Sequence, residues 1–168
     1  DNIFLAGEVA PWFSYLIVKP HGTGHFLSGV TITGNRFRSL NGSIDRVERV
    51  DDSFADLDMS RCKNIVMAAN SFHAVSNPVE NPAYVEFEQN QPSTAWDIDA
   101  SAQLPFSGQA LQVDSVMPFG PIRNENNVRQ YDMAYVDLQH GAQGDHIQLV
   151  WPTPVKGTVQ AMVRMDKR

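Results

Sequence analysis

The chain has 168 residues, 42% of them hydrophobic and 19% charged, and a formal net charge of −6. That apolar content suffices for the core of about one domain or two small modules, while the acidic balance and scattered basic residues argue against nucleic acid as a partner. No apolar run reaches the ~18 residues of a membrane-spanning helix, and the single cysteine, Cys62, excludes an internal disulfide.

The chain opens on a truncated copy of a frame that then recurs. Residues 30–37, 65–72 and 85–90 each carry two apolar residues at alternating positions, then an asparagine three residues after the second. The first two copies add a phenylalanine two residues later, and Asn2-Ile3-Phe4 is the cut copy. Asn2, Asn35, Asn70 and Asn90 are thus spaced by 33, 35 and 20 residues, and self-similarity of this kind belongs to solenoids and arrays. A frame cut through its middle is expected of the downstream piece of a longer protein.

Alternating apolar residues send one side of a strand inward. Stacked coils of a parallel β-helix would place Val30, Ile65 and Val85 in one interior column and Ile32, Met67 and Phe87 in the next. Asparagine suits the bend after each strand because it tolerates left-handed backbone and bonds its own chain. Phe37 and Phe72 would form an aromatic column beyond that bend. Outside, Thr31 with Val66 and Thr33 with Ala68 make columns poor in charge, which suits a neighbouring chain better than water.

Between the copies, residues 13–18 read as a short strand, and His21 and His25 flank Gly22-Thr23-Gly24 in a loop. Two histidines without a third ligand do not make a metal site, so neither metal nor cofactor is expected. Asn41-Gly42 predicts a tight hairpin between 37–40 and 43–47. Residues 45–58 hold six carboxylates against two arginines and read as a solvated face with ion pairs rather than a calcium loop. Pro78 and Pro82 bracket the short last turn.

After residue 92 the frame disappears. Strands are expected at 95–98, 110–113, 134–138, 146–150 and 157–165, separated by turn clusters at 118–121, 141–144 and 152–154. Their spacing predicts a small antiparallel β-sandwich. The division is therefore residues 1–92, the last coils of a parallel β-helix, and residues 93–168, a sandwich that caps the open stack and joins chains together.

The segments G-V-T-I-T-G-N-R-F and N-I-V-M-A-A-N-S-F resemble coils of right-handed parallel β-helix proteins of the pectate-lyase and polygalacturonase-related superfamily. Residues 9–14 (V-A-P-W-F-S), 19–25 (K-P-H-G-T-G-H) and 37–42 (F-R-S-L-N-G) sharpen the likeness to the C-terminal ends of phage-like spike or tail-fibre proteins encoded in α-proteobacteria. The resemblance implies an extracellular or virion-borne homotrimer that attaches to cell-surface polysaccharide. Carbohydrate-degrading members place carboxylates on particular coils. No such motif is recognisable here, so no catalytic residue is carried over.

Three sets of candidate residues follow. Glu86 and Glu88 share the outer face of one strand, roughly 6–7 Å apart, as a two-acid glycosidase would require; the ordinary alternative is a solubilising edge. His21 and His25 are the second. The third is the aromatic set Trp12, Tyr15, Trp96, Tyr131, Tyr135 and Trp151, part of which must be core. Sugar C–H faces stack on such rings, which makes Trp12, Tyr15, Lys19, His21 and His25 the predicted carbohydrate site, for a neutral or weakly charged saccharide. The expected function is non-catalytic polysaccharide binding in a spike, and the alternative is one wall of a polysaccharide lyase or glycoside hydrolase.

Overall fold

The computed structural model describes residues 2–167, and the chain is all-β. Seven short strands come first: β1 (Ile3–Ala6), β2 (Leu16–Val18), β3 (Ser28–Thr33), β4 (Arg36–Ser39), β5 (Glu48–Val50), β6 (Lys63–Ala68) and β7 (Ser71–His73). They form three parallel ladders, β1-β4-β7, β2-β5 and β3-β6, which the chain visits in turn before starting again.

The recurring frame sets this register. Val30 pairs with Ile65 and Ile32 with Met67, and Phe37 pairs with Phe4 on one side and Phe72 on the other. The three rings stack with centroids 4.9 and 5.9 Å apart and interplanar angles of 10° and 12°. The asparagines form a ladder beside them. The backbone N–H and Nδ2 of Asn2 both donate to Asn35 Oδ1 at 3.1 Å, and the same two groups of Asn35 donate to Asn70 Oδ1 at 2.9 and 3.1 Å. Asn70 Nδ2 closes the series on the Ile32 carbonyl at 2.9 Å. The left-handed backbone expected of the asparagines belongs instead to the residues before them, Gly34 (φ 70°) and Ala69 (φ 55°). That turn aims the next side chain along the stack, where the amide finds its partners.

Two expectations are corrected. Asn41-Gly42 is a corner rather than a hairpin, because Ile44 pairs in parallel with Val75 in the following turn. The third copy of the frame is not a coil. Val85 and Phe87 lie in β8 (Ala83–Asp99), antiparallel to Ala161 and Val159, and Asn90 is exposed outside the ladder. Period-two alternation specifies a half-buried strand without specifying the direction of its neighbour, so the two cases share one pattern.

The second half is β-sandwich-like and organised on one strand. β12 (His146–Arg164) pairs with β8 along most of its length. Its other edge carries β9 (Gln112–Pro118), β10 (Arg123–Asn124) and β11 (Tyr135–His140), all antiparallel. The strands expected at 146–150 and 157–165 are thus one, irregular between Val150 and Gly157. Gly157 takes φ 153° with Ile122 packed over it, where a Cβ would sit 2.8 Å from Ile122 Cδ1.

The inner face of this sheet, including Trp96, Ile98, Leu149, Val159 and Val163, is buried. It shares one core with Cys62 and Ile65 of the parallel part, with Val18, Leu27, Val30 and Ile32 packed against it. The expected boundary at residue 92 falls inside β8.

Candidate functional site

The parallel ladders have two kinds of edge. The far edge of β6 is closed by the C-terminal residues. Met67 exchanges backbone hydrogen bonds with Asn81, at 3.1 and 2.8 Å. Asn81 Nδ2 donates to the Ile65 carbonyl at 2.8 Å and to Asp166 Oδ1 at 2.7 Å, while the Ile65 N–H donates to Asp166 Oδ2 at 2.8 Å. Arg164 Nη2 reaches the same Ile65 carbonyl at 2.9 Å and Asp166 Oδ1 at 2.9 Å. Asn81, Arg164 and Asp166 are all buried. A buried ion pair is costly unless its remaining polar atoms find partners. Here strand-edge groups that would otherwise be stranded are among them, and Asp114 lies 3.7 Å from Arg164 Nη1, while Arg164 Nε has no hydrogen-bond partner.

A second clamp covers β5. Arg46 donates to the carbonyls of Ser101, Ala102 and Leu104 at 2.6–3.2 Å, and the Phe106 N–H donates to Glu48 Oε1 at 2.8 Å. At the opposite end, β1, β2 and β3 each pair on one edge only, and Ile3, Leu5 and Ile17 are exposed.

The flank carrying Trp12 holds two adjoining clefts. Trp12 is 70% exposed and borders a cleft of about 480 Å³ with Phe13, Asp45, Glu48, Arg49, Asp52 and Asp56. The Arg49 guanidinium lies 5.8 Å from the Trp12 ring centroid. Leu57 separates this cleft from one of about 320 Å³ lined by Lys19, Gly24, His25 and Phe26. Lys19 Nζ bonds Asp51 at 2.9 Å and sits 5.3 Å from the exposed Phe54 ring. Hydrogen bonds from Lys19 and then Ser53 hold the Asp51 carboxyl well below the usual carboxylate range.

The predicted residues therefore divide. Trp12, Lys19 and His25 line the flank, and the His21 ring packs on Phe54 at 5.5 Å. His25 Nδ1 accepts the His21 N–H at 3.3 Å, so the two rings do not converge as ligands, and no three metal-binding groups cluster among the described residues. Tyr15 is half-buried and packed against the interior. Its ring packs on Phe4, Phe13 and Phe37, and its hydroxyl donates to the Arg38 carbonyl at 2.7 Å. Glu86 and Glu88 face outward opposite Gln160 and Thr158 and line none of the clefts described. Trp96 and Trp151 are core, with centroids 5.0 Å apart, whereas Tyr131 and Tyr135 are exposed.

Comparison with protein-family models, curated proteins and solved structures returns no match. The chemistry must be read from the residues themselves.

Sequence reasoning missed Glu48, counting it among solvated carboxylates. Its side chain is fully buried, burial pushes its carboxyl up to about 7 against the Phe106 N–H and Arg46, and Oε2 has no hydrogen-bond partner. The available signal was the alternation of the segment, which sends Glu48 inward with Val50 and outward Arg49 between them. Also missed was a groove of about 840 Å³ between β9 and β11, lined mainly by apolar residues such as Val113, Val116, Val136 and Val159.

Proposed function

We propose that this chain is the capped end of a right-handed parallel β-helix, from a spike or fibre of a phage-like particle that acts outside the cell. Its Trp12 flank binds a neutral cell-surface polysaccharide. The closed edge of β6 carries this reading. Three buried side chains, Asn81, Arg164 and Asp166, satisfy the edge of the last long parallel strand, as the end of a stack requires if it is not to recruit further strands. The open edges of β1, β2 and β3 at the other end suit continuation by further parallel strands.

The saccharide half of the proposal rests on Trp12. An indole left in water beside a cleft of hydroxyl-bonding groups matches the chemistry of a sugar ring, which stacks one face and hydrogen-bonds at its rim. The cleft carries three exposed carboxylates, Asp45, Asp52 and Asp56, against Arg46 and Arg49, a balance that gives no preference for a strongly anionic polymer. Because Trp12 is 70% exposed, Trp12→Ala should leave the circular dichroism spectrum unchanged. It should weaken polysaccharide binding in calorimetry by at least about tenfold, and binding by the parent should change little as salt is raised. A folded variant that binds as well as the parent would overturn the site.

Glu48 favours a second reading, a polysaccharide lyase or hydrolase, since an acid poised near neutrality is what general acid–base chemistry uses. Shortening of the bound polymer by the parent but not by Glu48→Gln would decide for it. Retention without shortening decides for the binder.

A further inference from the structure

The exposed apolar residues of this chain are not spread evenly. Sixteen large hydrophobic side chains are exposed among the described residues, and seven of them fall within residues 117–138. Single exposed hydrophobics are ordinary, but a contiguous patch marks an interaction surface. Three of the seven, Tyr131, Met133 and Leu138, line one cleft, the apolar groove of about 840 Å³ that also takes in Trp151 and Val159. Tyr131 and Met133 stand at its rim, 87% and 89% exposed. The segment from Tyr131 to Ala134 belongs to no strand, so nothing in the sheet forces these side chains into water.

We infer that this groove and its rim form an interface between copies of this chain, the Tyr131–Met133 knob of one copy seating in the groove between β9 and β11 of the next. The knob lines the groove itself, so the same patch on two copies can meet about a two-fold axis, each knob in the other's groove, and a self-complementary contact of that kind closes as a dimer. The charges agree. Arg129 and Asp132 flank Tyr131 at the rim, and neither has an ion-pair partner among the described residues. One charge of each sign at a self-associating contact lets neighbouring copies supply the missing partners. The outer columns of Val66 and Ala68, expected from the sequence to carry association together with part of the sandwich, offer one exposed large apolar side chain. This inference is independent of the saccharide reading.

Sedimentation velocity over a concentration series on the full chain tests it, with Tyr131→Asp/Met133→Asp and Val66→Asp/Ala68→Asp as the paired variants. The parent should associate. The first variant should weaken association by about a hundredfold, as loss of two buried anchors does, with an unchanged circular dichroism spectrum because both residues are exposed in the single chain. The second should associate as the parent does. Should the aspartates disturb folding, Tyr131→Ser/Met133→Ser gives the same comparison without charge. A parent that stays monomeric at its highest soluble concentration overturns the inference, as does a folded rim variant that associates normally. A monomeric parent whose groove binds a fluorescent fatty acid would assign the groove to an amphiphile and equally overturn it.

Discussion

Glu48 shows how far a single residue can depart from its sequence neighbourhood. It sits in the most acidic stretch of the chain, yet pairs in β5 with Leu16 of β2 and lies under Phe106. Composition reads Asp45, Glu48, Asp51, Asp52, Asp56 and Asp58 as one solvated group. Composition does not separate the inward member; the local alternation of Glu48, Arg49 and Val50 carries the signal, and the parallel pairing with Leu16 fixes it. The consequence is a pH effect of definite sign. The folded-state pKa, about 7, lies above the ordinary 4.5, so the folded chain holds this proton more tightly than the unfolded one. The stabilisation is complete below pH ~4.5 and is lost as pH rises through 7. The shift corresponds to roughly 3–3.5 kcal/mol at most. His146 acts in the same direction at higher pH. Burial lowers its pKa, but Asp97, Asp99 and Asp145 together outweigh that and raise it. Urea unfolding at pH 5 and pH 8 should therefore show the parent losing stability with rising pH and Glu48→Gln losing distinctly less. Equal losses in both would place the effect elsewhere.

At the scale of elements, the frame succeeded where it encoded contacts between its own copies. The phenylalanines stack and the asparagines bond at the separations of 33 and 35 residues that the sequence displays. It failed at 85–90, where the same alternation serves an antiparallel strand whose partner lies some 70 residues further along the chain. The distinction was partly legible: the third copy lacks the phenylalanine, and its spacing drops to 20 residues. A pair of variants turns that difference into a measurement. Asn35 is buried and both donates and accepts within the ladder. Asn35→Leu should cost about 1–3 kcal/mol for each partner it strands. Asn90→Leu should change stability by no more than about 0.5 kcal/mol, as exposed substitutions do. Comparable losses at both positions would contradict the assignment of 85–90 to the antiparallel sheet. The candidate flank was legible to the same limited degree. Trp12 and Lys19 could be picked out by type and setting, whereas Tyr15 could not be told from a surface ring until Phe4, Phe13 and Phe37 were seen around it.

For the molecule as a whole, the decisive fact is that the two halves recognised in the sequence share one core and one closed edge. Ile65 of β6 packs with Trp96, Ile98 and Val163 of the antiparallel sheet, while its backbone bonds Asp166, Asn81 and Arg164. Two modules joined by a linker would unfold separately. A core that crosses the division should give one transition, coincident when followed by near-ultraviolet and far-ultraviolet circular dichroism. Asp166→Ala is the sharper probe of the same idea, because it takes from buried Arg164 its 2.9 Å carboxylate, leaving only Asp114 at 3.7 Å, and leaves the Ile65 N–H without an acceptor. Removing one partner of a buried pair costs about 3–5 kcal/mol. Since the pair ties the two halves together, that loss should lower the midpoint of the whole transition rather than split it. It should also leave the β6 edge open to pairing between chains, so that light scattering rises before unfolding is complete. Two separate transitions in the parent, or an Asp166→Ala variant as stable as the parent, would mean that the halves are independent and that the edge is closed by something other than this network.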